Sequence, residues 1–214
     1  MSRRTFFVDF DGTITKVDTC NAMVKAFAAP GWEELNELWE KKQLSTEACA
    51  KETFKLFRAD LEDLRRLLET VEIDGRFPAF LEACRERGDR VIVLSDGYDF
   101  NISTIFQKHG IDLPFYANRM VYDGGFQIEC PYLNPDCGTC GTCKTKLMEE
   151  LREPGGQIVY IGDGYSDTCP AGQADLVFAK GALYRYCQER GIPAQRFDSF
   201  RNIIETLKTT DYSK

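Results

Sequence analysis

The chain of 214 residues is long enough for one large domain or a core with a smaller insert, and 43% hydrophobic with 29% charged residues is ordinary globular composition. A net charge of −7 argues against a general nucleic-acid binder, which needs a basic face. No apolar run approaches the roughly 20 residues of a membrane helix, and the opening MSRRTFFVDFDG has only FFV before a carboxylate, so neither a membrane segment nor a secretory signal is expected and the chain reads as cytoplasmic.

TFFVDF (5–10) is a short β-favouring apolar run that ends in acid and then glycine, which predicts a buried strand entering a loop. Residues 17–72 read as helical almost throughout. Pro30-Gly31 interrupts the run, Ser45 or Thr46 offers a cap, and leucines at 61, 64, 67 and 68 mark one helix face. Helices closed by Gly88 and Gly110 flank a second buried strand, RVIVLSDG (90–97). A hairpin is expected around Asp123-Gly124-Gly125, then a helix from KTKLMEELRE, a third strand in QIVYIGDG and a fourth in DLVFAKG. The alternation predicts an α/β fold with a doubly wound parallel sheet. The stretch between the first two strands is too long for a plain crossover. It reads as an inserted helical cap, dividing the chain into a core of 1–15 and 74–214 and a cap of 16–73.

In such a sheet ligands bind beyond the carboxyl ends of the strands. There the chain places Asp9, Asp11, Gly12 and Thr13 after the first strand, Ser95, Asp96 and Gly97 after the second, and Asp163 with Asp167 after the third. Clustered acids need a cation or a shared proton, and oxygen donors without a nearby histidine suit Mg²⁺ rather than zinc. Asp9 and Asp11, two apart, point the same way if the strand continues. Gly12 permits a tight turn and close approach of a phosphate oxygen. One aspartate can then attack phosphorus to form an aspartyl-phosphate, and the other can protonate the leaving oxygen and later activate water.

DFDGT after an apolar strand, the serine of VIVLSDG, a lysine at a helix start and IGDGYSD, in that order over about residues 5–180, resemble the haloacid dehalogenase superfamily of phosphatases. The insert resembles the helical cap of its phosphoserine-phosphatase-like members. The resemblance implies Asp9 as nucleophile and Mg²⁺ ligand, and Asp11 as general acid/base and ligand through its backbone carbonyl. It further implies Thr13 orienting that loop, Ser95 binding the transferring phosphoryl group, Lys144 neutralising its charge and holding Asp9, Asp163 anchoring the metal, and Asp167 supporting it, with Gly12 and Gly97 leaving room. Positioning and charge neutralisation are what phosphoryl transfer requires. The plainer alternatives are a helix cap for Ser95, turn chemistry for Asp163, and Lys146 in place of Lys144.

The substrate is expected to be a small phosphorylated metabolite chosen by the cap. Asp18 matches a glutamate that phosphoserine phosphatases use on the substrate amine. Thr53, with Lys51 nearby, stands where they carry an arginine, and Gly12 stands in place of their serine, so phosphoserine is disfavoured. CGTCK and GDGYSDTCP look more like the methionine-salvage branch, with the phosphoethanolamine/phosphocholine branch and its pyridoxal-phosphate relatives as the alternative. For a cationic substrate, Asp18, Asp99, Trp32 and Trp39 would serve, although Asp99 also reads as a helix cap and the tryptophans as core. His109, the sole histidine, reads as a helix-end residue, and Cys169 as a buried thiol.

Nine cysteines are present, and Cys130, Cys137, Cys140 and Cys143 cluster just before Lys144. The spacing fits a structural Zn²⁺ knuckle that would brace the loop delivering Lys144, and it fits reduced thiols as well, with a disulfide or redox switch as the lesser alternative.

Overall fold

The structure is a computed structural model that describes residues 3–41, 43–136 and 140–211. Strand β1 (Arg4–Val8) is followed by four helices, α1 (Thr19–Phe27), α2 (Trp32–Glu40), α3 (Thr46–Lys55) and α4 (Leu61–Thr70). Then come α5 (Phe77–Arg87), β2 (Arg90–Tyr98), α6 (Asp99–His109) and the hairpin β3 (Phe115–Tyr122) and β4 (Phe126–Glu129). The last third holds α7 (Lys144–Leu151), β5 (Gln157–Gly162), a 3-10 turn (Tyr165–Asp167), α8 (Thr168–Ala171), β6 (Leu176–Ala179), α9 (Gly181–Arg190), β7 (Gln195–Arg196) and α10 (Phe200–Asp211).

Among the described residues the strands form one seven-stranded sheet, ordered β4-β3-β2-β1-β5-β6-β7. Only the β3–β4 pair is antiparallel among the pairings described. β1 pairs with both β2 and β5, so the three strand ends foreseen to carry the chemistry lie side by side. Side chains alternate between two cores, as a period of two demands. Phe6, Val8, Val93 and Ile161 face α5, α6, α10 and the helical insert, whereas Phe7, Leu94, Tyr160 and Val177 face α7, α8 and α9. The β2–β3 register shifts between Leu94 and Tyr98, so Ser95–Gly97 leaves the regular ladder at the site edge.

The chain enters and leaves α1–α4 through a paired neck. Thr15 bridges Ile73, Lys16 N donates to Glu72 O at 2.9 Å, and Asp74 N donates to Ile14 O at 2.8 Å. Leu64 and Leu68, the foreseen helix face, are fully buried against the core. Ser45 caps α3, and Asp60 with Asp63 forms a capping box on α4. The insert also meets the hairpin through aromatic rings: Phe54 lies 5.0 Å from Tyr98, 5.4 Å from Phe126 and 4.4 Å from Phe57, centroid to centroid.

Two sequence expectations fail locally. No residue of α2 is buried, so Trp32 and Trp39 are not core residues; α2 packs chiefly on α3, and Trp39 Nε1 donates to Thr46 Oγ1 at 3.0 Å. Cys169, expected as a buried thiol, is exposed on the short helix α8. His109 is the exposed last residue of α6.

Truncating Phe54 removes a ring that holds the insert, the hairpin and the end of β2 together. Phe54→Ala is expected to destabilise the fold by about 3–5 kcal/mol, read from urea unfolding.

Candidate active site

Strand β1 stops at Val8, and the chain turns sharply over the next residues, with Thr13 N, Ile14 N and Thr15 N all donating to Phe10 O. Gly12 makes this turn possible with φ of 76°, and a Cβ there would lie 2.7 Å from Asp163 Oδ2. The turn separates the two aspartates that a continuing strand would have aimed together. Asp9 faces Asp163 and Asp167, whereas Asp11 faces Asp18 and Cys20; in each set of three, ligand atoms lie within 4.8 Å of one another.

Lys144 is the hub of the first set. Only 3% exposed, its Nζ donates to Asp9 Oδ1 at 2.5 Å, Asp167 Oδ1 at 2.6 Å and Ser166 Oγ at 3.2 Å. Lys146, the alternative lysine, is exposed and lies 3.8 Å from Glu150. Burial alone would push the Lys144 ammonium toward deprotonation, but the carboxylates of Asp167 and Asp9 outweigh it and hold the group charged. A cation at the first residue of α7 opposes the helix dipole, another cost those carboxylates offset.

Asp167 is fully buried and saturated with donors: Lys144 Nζ and Tyr160 OH on one oxygen, Asp163 N and Gly164 N on the other. It therefore ties the lysine to the Gly162-Asp163-Gly164 turn. Thr13 Oγ1 donates to Asp163 Oδ1 at 2.6 Å, so the turns after β1 and β5 are locked together. Ser95 is buried, and its Oγ accepts from Gly97 N at 2.9 Å. A Cβ on Gly97 would lie 2.6 Å from Asp11 Oδ2, so only glycine admits Asp11 there.

Asp11 is held by the insert. Its Oδ1 accepts from Thr19 N at 2.8 Å and Thr19 Oγ1 at 2.5 Å, and Asn101 Nδ2 donates to Thr19 Oγ1 at 2.8 Å. Burial, then the charge of Asp18, raise the Asp11 pKa to about 7 against the pull of the Thr19 bonds. Burial also raises Asp9 strongly, with Asp167 adding to it, and raises Asp163. Asp18 itself is exposed and caps α1 by accepting from Asn21 N at 2.8 Å. Asp99 Oδ1 accepts from Phe100 N and Met120 N, tying α6 to β3.

Sequence reasoning assigned no role to Asp96, Asn118 and Thr142. Asp96 Oδ1 accepts from Thr142 N at 2.8 Å, Asn118 Nδ2 donates to Asp96 O at 2.7 Å, and Thr142 Oγ1 donates to Asn118 Oδ1 at 3.3 Å. This clamp fastens the segment before Lys144 to the end of β2. The signal available was an acid beside Ser95 at a strand end; its partners lie 22 and 46 residues on and carry no local mark. Among the described residues Cys130, Cys140 and Cys143 do not form a metal-holding set, and Cys143 N donates to Tyr132 O at 2.9 Å. Cys137 lies outside the described residues.

The family described as "Putative Phosphatase" matches residues 5–183. The chain is 33% identical over 209 residues to a 2-hydroxy-3-keto-5-methylthiopentenyl-1-phosphate phosphatase of Geobacillus kaustophilus, covering 94% of each. In fold it is similar to a phosphoserine phosphatase from T. onnurineus, with a TM-score of 0.71, 20% identity, and coverage of 97% and 95% of the two chains. It is likewise similar to the phospho-aspartyl intermediate analogue of a phosphoserine phosphatase, with a TM-score of 0.69, 19% identity, and coverage of 96% and 99%.

Removing the buried ammonium leaves Asp9 and Asp167 unpaired. Lys144→Met should therefore cost about 3–5 kcal/mol in chemical denaturation, whereas Lys146→Met should change stability by less than about 0.5 kcal/mol. Asp9, Asp11 and Asp163 all have folded pKa values raised above 3.8. The folded state then binds protons more tightly than the unfolded one. Without divalent cation, the Tm should fall as pH rises from about 4 to about 7, and saturating Mg²⁺ should flatten that fall, both read by thermal melts.

Proposed function

The chain belongs to this family of putative phosphatases, and on that premise we propose that it is a phosphoric monoester hydrolase of the haloacid dehalogenase superfamily that cleaves a small phosphorylated metabolite through an aspartyl-phosphate on Asp9. The observation that carries the assignment is Asp9 itself: a buried carboxylate beside two further acids, with a buried ammonium 2.5 Å from one of its oxygens. No packing need explains three acids there, and one ammonium cannot balance three clustered carboxylates, which leaves room for a further cation.

The donor chemistry fits Mg²⁺. Asp9 and Asp163 offer hard carboxylate oxygens, burial makes their charges costly without a cation, and the Asp167 oxygens are already taken by four donors. Asp9, Asp163 and the backbone carbonyl of Asp11 would hold the ion. When bound, it would neutralise charge on the phosphoryl oxygens and on Asp9.

One Asp9 oxygen attacks phosphorus as the bond to the leaving oxygen breaks, and Asp11 donates its proton to that oxygen. Water then attacks the aspartyl-phosphate and gives a proton to Asp11, which frees inorganic phosphate and restores Asp9. Ser95, Lys144 and the amides of the turn after β1 hold the phosphoryl oxygens. A pKa of about 7 leaves Asp11 a substantial protonated share at neutral pH, which suits an acid that must later serve as base. Residues 16–73 act as a cap on a core of 1–15 and 74–214. With Asp9 and Lys144 at most 5% exposed, water is largely excluded from the reacting centre.

The substrate we propose is 2-hydroxy-3-keto-5-methylthiopentenyl-1-phosphate, on the strength of relatives of 30–33% identity over 94% of the chain that carry that activity in their names. Beside Asp11 one neighbour suits a soft, apolar substrate group: Cys20 Sγ lies 3.9 Å from Asp11 Oδ2.

With Mg²⁺, the salvage intermediate should turn over faster than phosphoserine, phosphoethanolamine, phosphocholine or pyridoxal phosphate in a side-by-side phosphate-release assay. EDTA and Asp9→Asn should each abolish release; turnover of an aryl phosphate by Asp9→Asn would refute the mechanism. As pH rises above about 7 the rate should decline, because Asp11 loses the proton it must donate.

A further inference from the structure

Tyr160 is fully buried in β5, on the face that packs against α7, α8 and α9. Packing alone would be served by phenylalanine. A phenol hydroxyl in an apolar layer needs a partner, and this one has a specific partner: Tyr160 OH donates to Asp167 Oδ1 at 2.5 Å. The same oxygen accepts from Lys144 Nζ at 2.6 Å, and that ammonium also donates to Asp9 Oδ1 at 2.5 Å. The other Asp167 oxygen is taken by Asp163 N and Gly164 N.

The ammonium is thus contested by two carboxylates. Asp9 must share its donor with whatever Asp167 demands. A second strong donor on Asp167 Oδ1 spreads that oxygen's negative charge over two hydrogen bonds and weakens its hold on Lys144. Burial, reinforced by the neighbouring Asp167 charge, keeps the phenol protonated, so it remains a donor. From this geometry we infer that Tyr160 is a positioning residue: acting through Asp167, it balances Lys144 between Asp167 and Asp9 so that the lysine's charge stays available at the phosphoryl site. The inference rests on the phosphatase assignment above. No motif points to it, because Tyr160 lies inside an apolar strand, three residues before Asp163.

The test is Tyr160→Phe, which deletes one oxygen and keeps the ring. Assayed with an aryl phosphate and saturating Mg²⁺ well below the Tm, kcat should fall about tenfold while KM stays within about twofold, as expected for a lost hydrogen bond that matters in the transition state. In the Asp167→Asn background the same substitution should change kcat by less than about twofold, since the residue it acts through is gone. If Asp167→Asn is too slow to assay, beryllofluoride capture with Mg²⁺, followed by calorimetry, is carried through the same four variants and should show the same non-additivity. A lowered Tm with unchanged kcat would mean that the hydroxyl only satisfies the core, and would overturn the inference. So would a Tyr160→Phe effect that persists undiminished in the Asp167→Asn protein. Wild type that neither hydrolyses any phosphate ester nor captures beryllofluoride would instead remove the phosphatase assignment, and this inference with it.

Discussion

A buried ammonium is the constraint around which this molecule is arranged. Stripping water from a lysine costs several kcal/mol unless carboxylates surround it closely. Here they come from distant parts of the chain, Asp9 135 residues before Lys144 and Asp167 23 residues after it. To meet that demand, α7 must begin at the lysine, the preceding segment must be pinned to β2 by Asp96 and Asn118, and Asp167 must be steadied by Tyr160 and two backbone amides. Each tie is modest singly, but all of them bear on Asp9 through Lys144.

The helical insert is joined to this centre by chemistry as well as packing. Its apolar side merges with one core of the sheet through Leu64, Leu68 and Phe54. Its polar link is narrower: Asn101 to Thr19 to Asp11, a buried chain from α6 through the first residue of α1 to the second aspartate. Because Asn101 donates to the Thr19 oxygen, the Thr19 hydroxyl is free to donate to Asp11, which favours the ionised carboxylate. The placement of α1 therefore bears on the proton affinity of Asp11 through the two Thr19 bonds.

The strands were legible because buried parallel strands read as short apolar runs, and their carboxyl ends were marked by acids and glycines. The family followed from the order of those marked ends, and both the sheet and the comparisons agree with it. The direction of Asp11 was not legible. Alternation along a strand predicts that residues two apart share a face, but the strand ends at Val8 and the Gly12 turn sends the two acids to different neighbours. Trp32 and Trp39 misled for a related reason: amphipathic spacing says that a helix has a face, not that anything covers it.

The cysteine-rich segment divides what each level decides. Sequence alone determined that a lysine follows three closely spaced cysteines at a helix start, that acids end three strands, and that these belong to one phosphatase superfamily. Those are properties of short stretches, and local patterning encodes them. Only the tertiary structure decided that Lys144 and not Lys146 is the buried one, and that Asp96 and Asn118 fasten its loop. It likewise decided that Tyr160 and Asp167 stand behind the lysine and that Thr19 holds Asp11. The physical reason is that a buried charge or hydroxyl is defined by its partners, and partners brought together by parallel strands and a helical insert are not neighbours in the chain.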